Sequence, residues 1–128
     1  MSDTVPLARA LARFIIALGP DTIPPAVEEK ARCCLLNGYG IALGCHATPY
    51  APVARAAAIA MDGERADGAT LWGDGRAVGV AAAALANGAL CHGRGQEDTC
   101  GAAHLGAVLI PLLTGLFESR PLPMDRFI

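Results

Sequence analysis

One stretch organises this chain, residues 87–111, which read NGALCHGRGQEDTCGAAHLGAVLIP. It is the only polar concentration in the sequence, and segments rich in Ala, Leu and Val with helical spacing lie on both sides of it. We therefore predict a polar loop held between two apolar helices, an arrangement in which pockets commonly form. Two of the three histidines and two of the five cysteines fall within this stretch.

The composition predicts an all-α fold of about five helices. The 128 residues are 53% apolar, which is enough for one core in a single domain and leaves no room for a second. Alanine, the strongest helix former, is the commonest residue in that apolar fraction. The exception is a small β-hairpin near residues 70–78, where TLW and RAV flank an Asp-Gly turn.

Charge and hydropathy limit the partners of the protein. A net charge of −2 leaves no basic field to hold a phosphate backbone, so we expect no nucleic-acid partner. No apolar run reaches the roughly 18–20 residues of a membrane span, and the start lacks a basic region before an apolar one. We expect a cytoplasmic protein without a membrane partner. A mean hydropathy of +0.40 predicts apolar surface that faces a partner, either in a homo-oligomer or in a missing C-terminal portion.

The cysteines indicate free thiols rather than a disulfide framework. Five is an odd number, and Cys33 and Cys34 are adjacent inside a predicted helix. Cys91 is interpreted as a packed thiol, because neighbours on a helix point about 100° apart and His92 would face elsewhere. His46 lies alone in a loop and receives no role.

Apolar spacing, prolines and glycines define the helices. The first is an amphipathic surface helix, which Asp3 or Thr4 would cap. The second is interior in its later half, where Gly38, Gly40 and Gly44 indicate a closely approaching backbone. The third ends at Asp62-Gly63. The predicted helices cover residues 4–19, 23–44, 53–61, 80–94 and 105–118.

The fourth predicted helix has a stripe of small residues. Ala84, Gly88 and His92 lie on one face at four-residue spacing. Such a stripe lets a neighbouring helix come close.

The central loop contains the residue types of a carboxylate site. His104 lies at the start of the last predicted helix, where backbone N–H groups favour an anion. Arg94 and that helix start would hold a carboxylate substrate, while His104 moves a proton at the adjacent carbon. Thr99 adds a hydroxyl to the catalytic set, and Glu97 and Asp98 add acids to the substrate-binding set.

Two other interpretations of these residues stay open. Thr99 or Asp98 caps a helix while His104 satisfies a buried carbonyl, a purely structural arrangement. Alternatively, Cys100 and His104, four residues apart, form a metal site with Cys91 and His92 just upstream. Because this spacing matches no strong zinc pattern, we expect neither a metal nor another cofactor.

Several pieces of the chain, in this order, resemble the N-terminal part of the MmgE/PrpD family, which includes 2-methylcitrate dehydratase and cis-aconitate decarboxylase. The last two pieces resemble the family's Asp-Asp-Thr loop and its His-Pro-Gly helix start. The pieces are LARFI at 11–15, IPPAV at 23–27, ATLWGDGR at 69–76, ALANGALCH at 84–92, EDT at 97–99 and HLGAVLIP at 104–111.

The resemblance implies a mainly helical fold, a homodimer in the complete protein, and lyase chemistry on small di- or tricarboxylic acids without a metal or iron–sulfur cluster. Thr99 and His104 fall on active-site positions of the family. Related members are isomerases or epimerases, so the reaction type stays open. By this resemblance, residues 1–128 are a single partial helical domain without the family's lid-like domain.

The chain departs from the family pattern at several positions. Gly95 stands where the family loop begins with an aspartate, Leu105 replaces the usual proline, and Asn37 stands where an aspartate is common. One loop residue is also absent between Thr99 and His104. The high mean hydropathy and the interior-like later half of the second predicted helix motivate a competing hypothesis, a non-catalytic helical interaction module or truncated remnant.

Overall fold

A computed structural model describes residues 5–120 and residue 123. The fold is mainly helical with one two-stranded hairpin, as predicted, and no helix in the described residues is long and apolar enough to span a membrane. A short 3-10 turn, Pro20–Thr22, links the first two helices. The elements are α1 (Leu7–Ala17), α2 (Pro25–Cys45), α3 (Tyr50–Asp62), β1 (Ala69–Thr70), β2 (Ala77–Val78), α4 (Val80–Cys91) and α5 (Leu105–Ser119).

Helix α1 is amphipathic and lies on the surface, as predicted. Its start follows Pro6, and none of its residues is buried among the described residues. The apolar side chains of Leu11, Phe14 and Ile15 are all exposed. The predicted caps, Asp3 and Thr4, lie outside the described residues. The apolar face of α1 is therefore uncovered within the described part of the chain.

Helix α2 packs along one side only. Ile41, Ala42 and Cys45 are buried, whereas Leu36 and Leu43 are exposed, so the prediction that its later half is interior all round is wrong. A Cβ at Gly38 would meet the side chain of Ile110 on α5, so Gly38 lies against a side chain and not against the closely approaching backbone that the sequence predicted. A Cβ added at Gly40 or at Gly44 would have no neighbour within 4 Å. They lie on the side of α2 that no other described element covers.

The main core forms between α3, the hairpin and α4. The strands pair antiparallel with Ala69 opposite Val78, and Gly63, at φ 73°, ends α3 as predicted. Small side chains let these elements approach closely. The core side chains are Ala58, Ala69, Leu71, Val78, Ala83 and Ala86.

Asn87 of α4 fastens the hairpin to the helix. Its side chain is only 2% exposed; its Oδ1 accepts a hydrogen bond from the Trp72 N–H at 2.9 Å, and its Nδ2 donates to the Thr70 carbonyl at 2.9 Å. A buried amide needs such partners, because an unmade bond costs more than a made bond contributes. Asn87 thus adds two hydrogen bonds to the apolar packing of the hairpin on α4.

Helices α4 and α5 make the most extensive helix–helix contact among the described elements. A Cβ at Gly88 would lie 3.0 Å from the carbonyl oxygen of Ala107, which confirms that the small-residue stripe of α4 lets a neighbouring helix come near. This pairing brings the end of α4 and the start of α5 to the same end of the domain. The polar loop spans the gap between them.

Candidate active site

The loop between α4 and α5 folds back on itself. Gly95 and Gly101 adopt positive φ angles of 61° and 59°, a backbone region that residues with a Cβ rarely enter. Cys100 and Ala103 pair as an isolated antiparallel bridge, and the Gly106 N–H donates to the Asp98 carbonyl at 3.0 Å. These turns place residue 97 inward, between the end of α4 and the start of α5.

Glu97 joins two histidines. Its side chain is fully buried, and its Oε1 accepts hydrogen bonds from Nδ1 of His92 and from Nδ1 of His104, the latter at 2.8 Å. The two rings lie 5.0 Å apart between centroids, edge to face. Both histidine side chains remain about half exposed, at 57% and 53%. One buried carboxylate therefore positions two solvent-accessible imidazoles.

The electrostatics favour an ionised Glu97. Burial opposes ionisation, but a hydrogen bond from its own backbone N–H and those from the two histidines outweigh it, so the pKa of this carboxyl lies below its usual value. An ionised carboxylate only accepts hydrogen bonds. Each Nδ1 must then bear a proton, and in a neutral ring Nε2 is left with its lone pair. Either histidine can accept a proton at Nε2.

The remaining oxygen of Glu97 has no visible role in the fold. Oε2 is buried, and it has no hydrogen-bond partner within residues 5–120. Buried polar atoms nearly always have a partner, so an unpaired carboxylate oxygen beside two imidazoles indicates a functional site.

Asp98 faces helix α2. Its Oδ2 accepts a hydrogen bond from Nδ2 of Asn37 at 3.1 Å. The Cys34 thiol also lies against it: burial first, and then the charge and hydrogen bond of Asp98, raise the pKa of that thiol. Asn37, where the family commonly has an aspartate, thus makes an amide–carboxylate contact in place of a carboxylate pair. Asp98 anchors the loop to α2.

Thr99 and Arg94 line different cavities. Thr99 is exposed beside a cavity of about 220 Å³, whose wall also includes Asp98, Cys34 and Gly106. Arg94 lies in a groove of about 580 Å³ along α2, together with Asn37 and Gln96. The structure therefore brings Glu97 and His104 into contact, places Asp98 next to them in the loop, and puts Arg94 and Thr99 on separate walls.

The sequence interpretation missed His92. It assigned His92 to the small-residue face of α4, and indeed the residue lies at the end of a groove along α4 and α5 that Ala84 and Gly88 also line. α4 ends at Cys91, before the predicted Arg94, so the chain turns there and directs the His92 ring toward Glu97. The available signal was a glutamate with a histidine on each side in one loop.

The observed contacts differ in detail from both alternatives that the sequence left open. No side chain caps α5, whose N-cap residue is His104, and Nδ1 of His104 bonds a carboxylate rather than a carbonyl. Within the described residues, the group that could hold a metal is His92, Glu97 and His104, without Cys100 or Cys91. Cys91 is a packed thiol as predicted: its side chain is fully buried, and this burial raises its pKa to about 12. All five cysteines are free.

A helical domain with a buried carboxylate holding two imidazoles at a loop between paired helices is a domain equipped for acid–base chemistry. The chain belongs to the MmgE/PrpD family, because residues 9–127 match the model of the MmgE/PrpD N-terminal domain. This confirms the resemblance drawn from the sequence. No curated protein and no solved structure matches the chain significantly.

Proposed function

We propose that the protein is a lyase acting on a small di- or tricarboxylic acid by dehydration or decarboxylation, with His104 transferring the proton. The observation that carries this proposal is the hydrogen bond from Nδ1 of His104 to the buried carboxylate of Glu97. A fixed carboxylate partner sets the tautomer of a catalytic histidine and stabilises its protonated form. His104 is thereby prepared to act at Nε2.

The chemistry needs one proton acceptor beside an acidic carbon. In dehydration, Nε2 of His104 takes the proton from the carbon next to a carboxylate, the C–H electron pair forms the double bond, and the hydroxyl group leaves as water after taking a proton from solvent. In decarboxylation, the C–C bond breaks to release carbon dioxide, and protonated His104 delivers its proton to the carbanion. In an isomerase or epimerase of the same family, the proton instead returns to the substrate.

The other predicted residues have supporting roles in this proposal. Arg94 supplies the positive charge for a substrate carboxylate, and Thr99 supplies a hydroxyl. Glu97, expected from the sequence to bind substrate, is better placed as a positioning residue, because its carboxylate is buried against the histidines. Asp98 holds the loop on α2 through Asn37 and, in this proposal, reaches substrate only at the edge of the Thr99 cavity.

The test is turnover of 2-methylcitrate, cis-aconitate and related hydroxy and unsaturated polycarboxylates, followed by proton NMR in D2O. We expect turnover by the purified chain and a loss of about 100-fold or more in His104→Ala. Glu97→Gln should lower kcat by about 10- to 100-fold. His46→Ala is the matched control, because His46 bonds only the Leu43 carbonyl of its own helix.

The outcomes separate the reaction types. A new double bond indicates dehydration, carbon dioxide release indicates decarboxylation, and deuterium in recovered substrate without either indicates an isomerase or epimerase. No turnover or exchange with any acid of the panel would contradict the proposal, as would full activity in His104→Ala.

The exposed face of α1 supports a second candidate, a helical module that associates with another copy of itself. Leu11, Phe14 and Ile15 present a continuous apolar surface that nothing covers within the described residues. Sedimentation equilibrium should then show a dimer that Phe14→Glu converts to monomer, whereas Arg13→Glu should leave it intact. A folded monomer at all concentrations would contradict this candidate.

A further inference from the structure

We propose that His92, Glu97 and His104 also form a binding site for a divalent transition-metal ion of the Zn²⁺ class. One ligand atom from each of the three residues lies within 4.8 Å of the others. The site goes beyond the proposed lyase function, because a metal bound here would occupy the histidine that transfers the proton.

The geometry brings the donors together around one point. Nδ1 of His92 and Nδ1 of His104 both form hydrogen bonds with Oε1 of Glu97, so two nitrogens and one oxygen lie together, and an ion would take the place of the hydrogen atoms between them. Metal–ligand bonds of about 2.0–2.2 Å in a tetrahedral site need ligand atoms roughly 3.4 Å apart. Small side-chain rotations of two half-exposed rings can supply that spacing, since neither ring is enclosed by the core.

The donor set suits this class of ion. Two imidazoles and one carboxylate form a nitrogen–oxygen set that zinc accepts at open sites, with the fourth position left for water. The ligands come from the end of α4, the loop and the start of α5, which the close packing of α4 and α5 holds in place. Oε2 of Glu97, buried and without a partner in the described residues, gains a cation beside it.

The protons balance without a co-reactant. Each neutral imidazole moves its Nδ1 proton to Nε2 through solvent, so the Nδ1 lone pair becomes available to the ion. The ionised Glu97 supplies one negative charge, and the complex has a net charge of +1. In each ring the Nδ1–H bond breaks and an Nε2–H bond forms, and the other new bonds are those to the metal.

The test is a titration of the full chain with Co²⁺, a spectroscopic probe for this class of site, under a reductant that binds no metal. We expect visible d–d absorption that saturates at one Co²⁺ per chain and is displaced by Zn²⁺. His92→Ala and His104→Ala should each weaken binding by more than about 100-fold. Circular dichroism checks that these exposed-site variants fold.

The control variants distinguish the three proposed ligands from the other residues that could bind Co²⁺. His46→Ala and Cys100→Ser should bind Co²⁺ like the wild type, and Glu97→Gln should weaken binding by about 10-fold or more. Absence of Co²⁺ binding by the wild type, unchanged binding in His104→Ala, or loss of binding in Cys100→Ser would each overturn the proposal. The readout needs no substrate, so its failure is separate from a failure of the lyase proposal, which metal-free turnover decides.

Discussion

The two halves of the molecule bury their apolar residues to different extents. In the packed half, formed by α3, the hairpin, α4 and α5, mostly small side chains build a fully buried core around Leu71, which is 0% exposed. In the open half, formed by α1 and α2, larger side chains such as Ile16 are 84% exposed. Apolar content alone therefore does not make a core. A core forms where backbones approach each other closely, and small residues permit that approach.

Truncation of one leucine in each half should give the largest difference in the free energy of unfolding. Leu71→Ala removes a fully buried side chain from the main core and should lower the free energy of unfolding by about 2–5 kcal/mol. Leu11→Ala, on the exposed face of α1, should change it by less than about 0.5 kcal/mol. Urea denaturation of both variants measures the two values. Equal losses would mean that the face of α1 is covered in solution.

Asparagines give a second matched pair. Asn87→Ala leaves the Trp72 N–H and the Thr70 carbonyl without their partner and should cost about 1–3 kcal/mol. Asn37→Ala removes one exposed bond to Asp98 and should cost less than about 1 kcal/mol. The same denaturation curves decide this comparison, and a larger loss in Asn37→Ala would contradict it.

Helix glycines should differ in the sign of their effect. Gly44→Ala, in the open half, meets no neighbour within 4 Å and should stabilise the fold by up to about 1 kcal/mol through helix propensity. Gly88→Ala, in the packed half, would bring its Cβ to 3.0 Å from the Ala107 carbonyl and should cancel or reverse that gain. Thermal unfolding of both variants compares them. A destabilising Gly44→Ala would indicate that another molecule covers α2.

The smallest effect concerns the tip of the hairpin. Hydrogen bonds from Arg76 hold the pKa of Asp74 at about 2, below its usual value of 3.8. A lowered folded-state pKa contributes stability that is complete above the usual pKa and is lost as the pH falls through the folded one. The advantage of wild type over Asp74→Asn should therefore be constant above about pH 4 and shrink toward pH 2.

Denaturant midpoints at pH 6, 4 and 3 measure that change. Asp67→Asn removes the same charge from an 80% exposed side chain and is the matched control. An Asp74→Asn difference that stays constant down to pH 3 would contradict the assignment.

The presence of the helices and of the hairpin was predictable from residues that act locally. Proline at the start of α2 and the Asp-Gly turn of the hairpin act within a few residues, so the sequence itself contains their cause. Burial of α2 was not predictable in the same way. An apolar helix shows which residues can be buried, but only the positions of α4 and α5 decide that Ile41 is covered and Leu43 is not.

The site was predictable in composition but not in arrangement. His104 and Glu97 stand out in a polar loop, yet their contact depends on the turns at Gly95 and Gly101, which set where residue 97 points. The helical spacing of α4 assigned His92 to packing against a neighbouring helix. That spacing cannot show that α4 ends at Cys91, one residue before His92. Long-range loop geometry, rather than residue type, decides which side chains meet.

Asn87 gives the small sheet something that two strands alone lack. A carboxamide has an acceptor oxygen and a donor N–H group, the same pair that a peptide group presents. Asn87 donates to the Thr70 carbonyl of β1 and accepts from the Trp72 N–H that follows this strand. In effect, a single side chain of α4 stands in for one residue of a third strand. The hairpin cannot slip by one residue without losing both bonds, so the alignment of the sheet is encoded on a helix.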